Sequence, residues 1–283
     1  MEYGTTFAPS WLGDLGALRA AAADLDRGGI DFVSYGGHVL TAAEGRFDRP
    51  ASSYAVPFRD PFVLYSHLAA STTRLRFRSG ILILPLFPTV LVAKQAAELA
   101  LVSGGRFELG VGISWNEAEY RAMGQNLAVR GARLEEQLAV LRLLWREPLV
   151  TFTGRFHDID ALGLGELPPS PIPIWVGCGD ADPLLSRVAR YGDGWMPIGT
   201  PAKERITRLR EFAVQAGRSE PIGVTLRLNA RPDDPSAALE EAQALVELGA
   251  TSLSIAAPGG AAPGDGIAAV LATHEFLRAR LEI

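Results

Sequence analysis

The sequence predicts an α/β fold, a (β/α)8 barrel formed by one domain over residues 1–283, on three observations. Short β-like runs alternate with helical patterns along the whole chain. Eight such runs are present, which is the number that closes a barrel of parallel strands. Several are apolar throughout, as in ILIL and PIWVG, and this is typical of strands covered by helices on both faces. An open doubly wound sheet is the alternative interpretation of the same alternation.

The predicted strands are short apolar or β-branched runs bounded by turn residues. They are Tyr3–Ala8, Phe32–Tyr35, Leu75–Leu84, Arg106–Gly112, Ile172–Gly177, Gly194–Ile198, Ile222–Leu228 and Ser252–Ala256. Between them, apolar residues recur at the three- and four-residue spacing of a helix with one buried face. The second helix is predicted to begin at Asp60-Pro61 and to bury the face formed by Val63, Ser66, His67 and Ala70.

Residues 147–171 break this alternation between the fourth and fifth strand units. They contain a predicted hairpin around VTFTGRFH, followed by a segment rich in proline and glycine. A long excursion of this kind is more often functional than accidental. We therefore expect this insertion to lie over the barrel mouth.

Charge and composition disfavour several classes of function. The chain has 27 basic and 32 acidic residues and no dense basic patch, so nucleic acid is not an expected partner. The start MEYGTTFAPSW lacks a signal-peptide pattern, and no apolar run is long enough to span a membrane. One cysteine and four scattered histidines predict no internal disulfide, no metal site and a cytoplasmic location.

The chemistry of a (β/α)8 barrel takes place at the carboxyl ends of its strands. The second strand ends in SYGGHVL, where Gly36 and Gly37 leave the backbone bare and His38 would project at the mouth. A histidine there can exchange protons with a ligand near neutral pH, or it can simply bond a backbone carbonyl. In the third strand, Gly80 suggests a bulge or a close approach, although an ordinary buried strand explains the stretch as well.

The fourth strand lies in GRFELGVGISWNEAEYRAMG, at residues 105–124. Ser114 and Glu117 have the spacing of a capping box, which explains the polar residues without a ligand. Capping does not explain Gly110 and Gly112 at the strand end. Bare backbone at a barrel mouth admits a planar ring or a phosphate, so both interpretations stay open.

The fifth strand ends in WVGCGDADPLL. A glycine-flanked loop that enters a helix is a general anion site, because free amides meet the positive helix end. Asp182 and Pro183 are predicted as the N-cap and first residue of that helix, which is also an explanation that needs no ligand. Cys178 has no histidine nearby in sequence and is not expected to be a nucleophile.

Five stretches, in order and spacing, resemble the bacterial luciferase-like monooxygenase superfamily, in particular its branch of coenzyme F420-dependent (deazaflavin) oxidoreductases. The most specific is GRFELGVGISWNEAEYRAMG, which matches the branch signature GRxxLGVGxGWxxxEFxxxG nearly throughout. The others are LPLFPTVLVAKQAAELALVSGGR, VTFTGRFH, PIPIWVGCG and ARYGDGWMPIG.

The resemblance implies a barrel that is usually a homodimer and binds coenzyme F420 or FMN in its mouth. Relatives transfer hydride to or from a small organic substrate, or hydroxylate it with reduced flavin and oxygen. His38 matches a histidine beside the ring and is the expected catalytic residue. Gly80-Ile81 matches a position where relatives hold a non-prolyl cis peptide. The implied cofactor-binding residues are Gly37, Gly80, Ile81, Gly112, Ser114, Ile198 and Gly199, with Gly177, Cys178 and Gly179 at the phosphate.

Three positions depart from the family pattern. Gly37 replaces the aspartate before the histidine, which puts proton transfer by that aspartate in doubt. Ser114 replaces the last glycine of GVGxG. Trp115 stands where relatives that oxidise sugar phosphates carry a glutamate, so that activity is not expected here.

We therefore expect an F420-dependent oxidoreductase whose apolar or aromatic substrate lies under residues 147–171. The first alternative is an FMN-dependent monooxygenase supplied by a separate flavin reductase. The second is a non-catalytic flavin-binding protein, which the change at Gly37 suggests. The acidic tail of F420 would favour a basic surface near the mouth, and Arg46, Arg49 and Arg59 are either that surface or solvated loop residues.

Overall fold

The computed structural model describes residues 1–41 and 58–281, which form a closed barrel of parallel strands surrounded by helices. The strands are β1 (Glu2–Thr6), β2 (Phe32–Tyr35), β3 (Arg76–Ser79), β4 (Leu82–Ile83), β5 (Phe107–Gly112), β6 (Val150–Thr153), β7 (Asp158–Leu162), β8 (Ile174–Cys178), β9 (Gly194–Pro197), β10 (Gly223–Asn229) and β11 (Ser252–Ala256). Around the barrel the order is β1-β2-β3-β5-β8-β9-β10-β11, and β11 pairs with β1. The predicted fold class is confirmed.

The helices alternate with these strands. They are α1 (Leu15–Arg27), α2 (Pro61–Ala69), α3 (Thr89–Val102), α4 (Glu117–Ala122), α5 (Arg130–Leu144), α6 (Asp182–Tyr191), α7 (Lys203–Gln215), α8 (Pro235–Leu248) and α9 (Pro263–Arg278), with short 3-10 turns at Pro9–Trp11, Leu84–Leu86 and Leu127–Val129. The predicted start of α2 is confirmed, because the Asp60 carboxylate accepts a hydrogen bond from the Val63 amide at 2.9 Å. Within the described residues, no helix combines the length and apolar character needed to cross a bilayer.

The predicted buried face of α2 is wrong. Val63 is 72% exposed, whereas Phe62, Tyr65 and Leu68 are buried. Both sets satisfy helical spacing, so periodicity does not separate them. The set with larger side chains faces the core because it removes more apolar surface from water.

The third strand also differs from the prediction of one continuous strand over Leu75–Leu84. It is split into β3 and β4, both of which pair with β5. Arg78 lies opposite Glu108, and Leu82 lies opposite Val111. Residues 79–81 therefore face only the two residues between Glu108 and Val111, which makes the intervening segment a bulge.

The interior of the barrel holds a buried ion pair between aromatic rings. Arg78 Nε lies 2.6 Å from Glu108 Oε2, and neither residue is more than 3% exposed. The Arg78 guanidinium lies 3.8 Å from the ring centroid of Phe32 and 3.5 Å from that of Trp175. A Cβ at Gly194 would lie 2.1 Å from Trp175 Cε3, so the Trp175 ring packs where β9 has no side chain. This packing closes the barrel below the mouth.

The predicted insertion between the fourth and fifth strand units is present as the β6–β7 hairpin and the segment after it. The His157 ring at the hairpin tip lies 2.5 Å from Thr89 Oγ1 and 2.7 Å from Glu136 Oε1. Lys94 Nζ donates to the Leu164 carbonyl at 3.3 Å. These contacts hold the insertion against α3 and α5, and its expected position over the barrel mouth stays a prediction.

Candidate active site

A cavity of about 370 Å³ opens at the carboxyl ends of β2, β3, β4 and β5. Its walls come from four parts of the chain, at 36–38, 58, 80–83 and 114–115, which meet in the closed barrel. The lining residues are Gly36, Gly37, His38, Phe58, Gly80, Ile81, Ile83, Ser114 and Trp115. Five of the predicted site residues, Gly37, His38, Gly80, Ile81 and Ser114, are therefore brought together at one place.

The bulge between β3 and β4 forms one wall of this mouth cavity. Its Gly80–Ile81 peptide bond is cis, as the family resemblance implies. A Cβ at Gly36 would lie 2.0 Å from the Gly80 carbonyl oxygen, and a Cβ at Gly110 would lie 1.7 Å from the Ser79 carbonyl oxygen. Side chains at these two positions would occupy the same space as the bulge backbone. The two glycines are therefore explained by the close approach of the bulge.

Gly112 and Gly177 have the same relationship with the Ile81 side chain. A Cβ at Gly112 would lie 2.8 Å from Ile81 Cδ1, and a Cβ at Gly177 would lie 2.6 Å from Ile81 Cγ2. The bulge takes the space beside Gly110 and Gly112, which is a structural reason for both glycines, while their role toward a ligand stays a prediction. These glycines shape the mouth indirectly, through the segment they accommodate.

His38 is paired with a carboxylate that the sequence analysis did not single out. Its Nδ1 lies 2.5 Å from Oε2 of Glu119, a residue of α4 that is 2% exposed. The other carboxylate oxygen accepts hydrogen bonds from the backbone amides of Val39 and Leu40, at 2.8 and 3.2 Å. One buried side chain therefore holds the whole segment 38–40 in place. The alternative of a loop histidine bonded to a backbone carbonyl is not what the structure shows.

The pKa of Glu119 is lowered from its ordinary value. Burial acts to raise it, but the hydrogen bonds from His38 and from the Leu40 and Val39 amides stabilise the charged form and outweigh burial. Glu119 is therefore an ionised carboxylate at neutral pH, and it faces the His38 ring.

Phe58 takes the space beside His38 that a side chain at position 37 would need. A Cβ at Gly37 would lie 2.5 Å from Phe58 Cδ1 and 2.8 Å from the Tyr35 hydroxyl. The Phe58 and His38 ring centroids are 5.4 Å apart, and those of Trp115 and His38 are 6.3 Å apart, both in edge arrangements. The mouth around His38 is thus walled by aromatic rings, and the glycine at 37 makes this possible.

A second cavity of about 110 Å³ adjoins the mouth cavity and shares several of its residues. It is lined largely by apolar and aromatic side chains, among them Phe58, Ile81, Leu82, Ile83 and Phe87. Arg59 contributes to its rim, but its Nε donates to the Leu12 carbonyl at 2.9 Å. A small apolar group fits this space better than a charged one.

Ser114 lies on the mouth cavity, but it is not part of a capping box. Its φ is 54°, and its hydroxyl accepts a hydrogen bond from the Asn116 amide at 3.3 Å. The N-cap of α4 is Asn116, whose Oδ1 accepts from the Ala118 amide at 3.1 Å. The predicted capping box at Ser114 and Glu117 is therefore wrong.

Hydroxyl groups on three adjacent strands, β11, β1 and β2, lie beside the bulge. Thr6 Oγ1 is 2.7 Å from Ser34 Oγ and 3.4 Å from Ser254 Oγ. A Cβ at Gly80 would lie 3.2 Å from the Cβ of Ser34. These residues were not predicted from the sequence, because hydroxyls on separate strands carry no common sequence signal.

The remaining predicted site residues lie at the adjacent ends of β8 and β9. Cys178 pairs with Pro197 in the sheet, and the Ile198 amide donates to the Cys178 carbonyl at 3.3 Å. Cβ atoms at Gly179 and Gly199 would meet no atom closer than 3.8 Å, so this part of the rim is open. Ile198 is 82% exposed. These residues form a second group, linked to the mouth cavity through the contact of Gly177 with Ile81.

The loop after β8 offers amides to an anion. No hydrogen bond from the amides of residues 179–181 occurs within the described residues, and α6 begins immediately after them without a side-chain cap. The predicted cap is corrected: Asp182 is the first helical residue, and its carboxylate pairs with Arg205 and Arg208. Burial raises the pKa of Cys178 to about 11, so its thiol is protonated at neutral pH and is a poor nucleophile.

A sequence model of luciferase-like monooxygenases matches residues 4–278, almost the whole chain. The chain belongs to the luciferase-like monooxygenase family. This assigns the barrel and its mouth to a family of oxidoreductases, and it agrees with the resemblance drawn from the sequence motifs.

Two relatives show how this luciferase-like protein compares in sequence. An uncharacterised protein of Mycobacterium tuberculosis is 44% identical over 175 residues, which cover 59% of this chain and 59% of the relative. The pyrimidine monooxygenase RutA of Allorhizobium ampelinum is 27% identical over 226 residues, which cover 76% of this chain and 59% of the relative. The matches thus span about three fifths of the length of either relative.

Solved structures extend the comparison of the luciferase-like fold. An F420-dependent secondary alcohol dehydrogenase, in complex with an F420-acetone adduct, superimposes with a TM-score of 0.78 at 16% identity and covers 98% of this chain and 99% of that one. A type II Baeyer-Villiger monooxygenase of Pseudomonas putida, in complex with FMN, gives 0.73 at 16% identity and covers 96% of each chain. At such identities the likeness establishes the fold, which both cofactor classes share.

Proposed function

We propose that this luciferase-like protein is an oxidoreductase that transfers hydride between coenzyme F420 and a small apolar or aromatic organic substrate. The observation that carries the proposal is the mouth cavity. It places His38, held by a buried carboxylate, between two aromatic side chains and opposite the bulge at Gly80 and Ile81. A histidine in such a position can exchange a proton with a bound substrate.

The residues present fit the cofactor. The bulge at 79–81 and Ser114 offer a wall of backbone and small groups beside a cavity of about 370 Å³, where a planar ring finds few side chains in its way. The amides of residues 179–181, at the start of α6, fit its phosphate. When bound, the deazaflavin supplies a carbon that gives or accepts hydride. The roles of Gly37, Gly112, Gly177, Cys178, Gly179, Ile198 and Gly199 in holding it are part of this proposal.

A basic groove favours the deazaflavin over FMN. The groove has a volume of about 600 Å³ and is lined by Glu117, Tyr120, Arg121, Gln125, Asn126, Leu127, Ala128 and Arg130. In the described part of the chain, neither Arg121 nor Arg130 forms an ion pair, and the Nε of Arg130 is buried without a hydrogen bond. Such groups suit the acidic tail of F420, which FMN lacks. Of the basic residues considered from the sequence, Arg59 bonds the Leu12 carbonyl, and Arg46 and Arg49 lie outside the described residues.

The substrate is proposed to bind between the aromatic walls rather than under the β6–β7 hairpin. Phe58, Trp115 and Phe87 surround the two cavities that meet at His38. Aromatic and aliphatic walls with few polar groups favour an apolar or aromatic substrate. Among the described residues that line both cavities, His38 is then the one side chain that can exchange a proton with the substrate.

An FMN-dependent monooxygenase supplied by a separate flavin reductase is the second candidate. It is supported by the 27% identity with RutA, a pyrimidine monooxygenase, over 76% of this chain. A non-catalytic flavin-binding protein is a third, weaker candidate. The change at Gly37 suggested it, but His38 still has an ionised partner in Glu119. We also propose a homodimer in the cytoplasm, which light scattering and cell fractionation test.

Paired titrations of the purified apoprotein test the cofactor. Fluorescence is followed with F420, with a tail-less deazaflavin and with FMN, each at low and moderate salt. We expect F420 to bind most tightly. Added salt should weaken the binding of F420 more than the binding of the tail-less compound, because salt screens charge pairs on the surface. Tight FMN binding with weak F420 binding would support the monooxygenase instead. If none of the three binds, the proposed enzyme function is wrong.

A further inference from the structure

Among the described residues, the side-chain hydrogen bonds of Glu119 all go to the segment that carries His38. Its Oε2 lies 2.5 Å from His38 Nδ1, and its Oε1 accepts from the Val39 and Leu40 amides. The residue lies in α4, 81 positions away in sequence, and is 2% exposed. A buried carboxylate with three hydrogen bonds to one segment has a defined position and a defined charge.

This arrangement determines which nitrogen of His38 carries the proton. An ionised carboxylate is only an acceptor, so the close contact requires a proton on Nδ1. In the neutral ring, Nε2 then presents a lone pair. His38 lines the mouth cavity, and no hydrogen bond to Nε2 occurs within the described residues. The mouth therefore faces an acceptor.

The carboxylate cannot come from position 37 in this chain, because Phe58 fills the space of a side chain there. Glu119 approaches the ring from α4, on the strand-to-helix connection after β5. The aromatic wall and the carboxylate thus occupy separate positions around His38. The Phe58 ring and the Glu119 carboxylate can therefore contact His38 at the same time.

We propose that Glu119 is the positioning residue that holds His38 with its proton on Nδ1, so that the ligand group facing Nε2 is a hydrogen-bond donor, a hydroxyl or an N–H. This rests on the proposed function for the identity of the site, and it adds the class of substrate group that the site accepts. A carbonyl or ether oxygen at Nε2 would place two hydrogen-bond acceptors against each other. Neither would then have a donor, which disfavours binding of such a group.

The substitution Glu119→Gln tests the proposal with little change in shape. The amide oxygen of glutamine can still accept from Val39 and Leu40, while its NH2 group donates to Nδ1. The His38 proton is then expected on Nε2, so the group that faces the mouth changes from acceptor to donor. Circular dichroism and thermal unfolding check that the fold is retained.

The chain provides a matched control. His157 Nδ1 lies 2.7 Å from Glu136 Oε1, in a pair of the same chemistry away from the mouth. Glu136 also accepts from two backbone amides, those of Arg155 and Phe156. Glu136→Gln should change the proton position on His157 and leave His38 unaffected.

The measurement is 15N–1H correlation NMR of the full chain labelled at histidine nitrogens, with His38 assigned from His38→Gln. At neutral pH we expect the Nδ1–H form of His38 in the wild type, its loss in Glu119→Gln, and its retention in Glu136→Gln. A wild-type His38 protonated on Nε2, or on both nitrogens, would overturn the proposal even if the variant fails to fold.

Phenol and anisole serve as probes of the donor requirement, because they differ by the hydroxyl proton. Phenol is expected to shift the Nε2 resonance of wild-type His38, and anisole is not. Equal shifts from both, or no shift from phenol up to its solubility limit, would contradict the donor requirement. Both measurements use the cofactor-free protein, so failed cofactor titrations would remove the proposed function and leave this result standing.

Discussion

Phe58 stands in the place of a side chain at position 37: a Cβ at Gly37 would lie 2.5 Å from Phe58 Cδ1. The glycine and the aromatic ring are thus two parts of one feature. Position 37, where the family resemblance implies an aspartate, leaves its side-chain space to the Phe58 ring, and a carboxylate reaches His38 from α4 instead.

Gly37→Ala is therefore expected to destabilise the protein by about 1–3 kcal/mol, the usual cost of overpacking. Phe58→Ala in the same chain should remove most of that extra cost, because the two changes share one space. Urea unfolding of the two single variants and the double variant measures this coupling. Gly13→Ala, where a Cβ would meet no atom within 4 Å, is the control. Additive effects would contradict the shared space.

His38→Gln is expected to lower turnover by about 10²–10⁴-fold once a substrate has been identified, because proton transfer by a positioned side chain contributes this much. Cofactor affinity should be unchanged. Stopped-flow measurement of hydride transfer, together with the cofactor titration, separates the two effects. Full turnover in the variant would show that His38 does not transfer the proton.

Arg130→Gln and Arg121→Gln are each expected to weaken F420 binding by about 2–5-fold, the range for an exposed charge pair. Binding of the tail-less deazaflavin should not change, because it has no acidic tail to place in the groove. Arg190→Gln, in the last turn of α6, provides a control for overall charge. Equal weakening by all three substitutions would point to general electrostatics rather than to the groove.

Stability is expected to fall in acid through Asp26 as well as Glu119. Burial acts to raise the pKa of Asp26, but the amides of Thr73, Arg74 and Leu75 lower it below its ordinary value. A group with a lowered folded pKa contributes stability above the unfolded pKa, about 4, and this contribution is lost as pH falls through the folded pKa. Asp26→Asn should therefore reduce the pH dependence of the free energy of unfolding below about pH 4. Unfolding in urea across this range gives the slope, and an unchanged slope would be the contrary result.

Arg78→Met is expected to destabilise the protein by at most about 3–5 kcal/mol, because it removes the nearer partner of the buried Glu108 and leaves only Arg76 Nε, 3.3 Å from Glu108 Oε1. The double variant Arg78→Met/Glu108→Leu should recover much of this loss, since a buried ion pair can be replaced by apolar residues of similar size. Chemical unfolding of the three proteins tests the expectation. A double variant as unstable as the single one would mean that the stacking on Phe32 and Trp175 matters more than the charge.

The barrel was predictable because the alternation of strand and helix patterns is repeated along the chain. Each buried strand and each helix repeats the same alternation, so an error at one element, such as the buried face of α2, leaves the topology intact. The break between β3 and β4 was predictable only in part: Gly80 suggested a bulge, although the apolar run ILIL that follows it is typical of an uninterrupted strand. It depends on glycines in neighbouring strands, which local sequence does not connect.

Site residues were predictable only where they belong to a recognisable family motif. His38 and the 80–81 pair follow from family motifs and do meet in the mouth cavity. Glu119 was missed because it sits within the signature itself, where capping at Ser114 and Glu117 gave a sufficient local explanation. Only the approach of α4 to the end of β2 shows its partner.

The glycines that surround residues 79–81 come from three parts of the barrel: Gly36 follows β2, Gly110 and Gly112 lie in β5, and Gly177 lies in β8. The wall of the mouth formed by residues 79–81 therefore depends on the closure of the barrel, which brings these glycines together. Phe58 and Trp115 lie on connections between strands and helices, outside that shared framework. Substitutions at Phe58 and Trp115 therefore change the mouth without entering the space of residues 79–81, whereas a side chain at any of the four glycines would enter it.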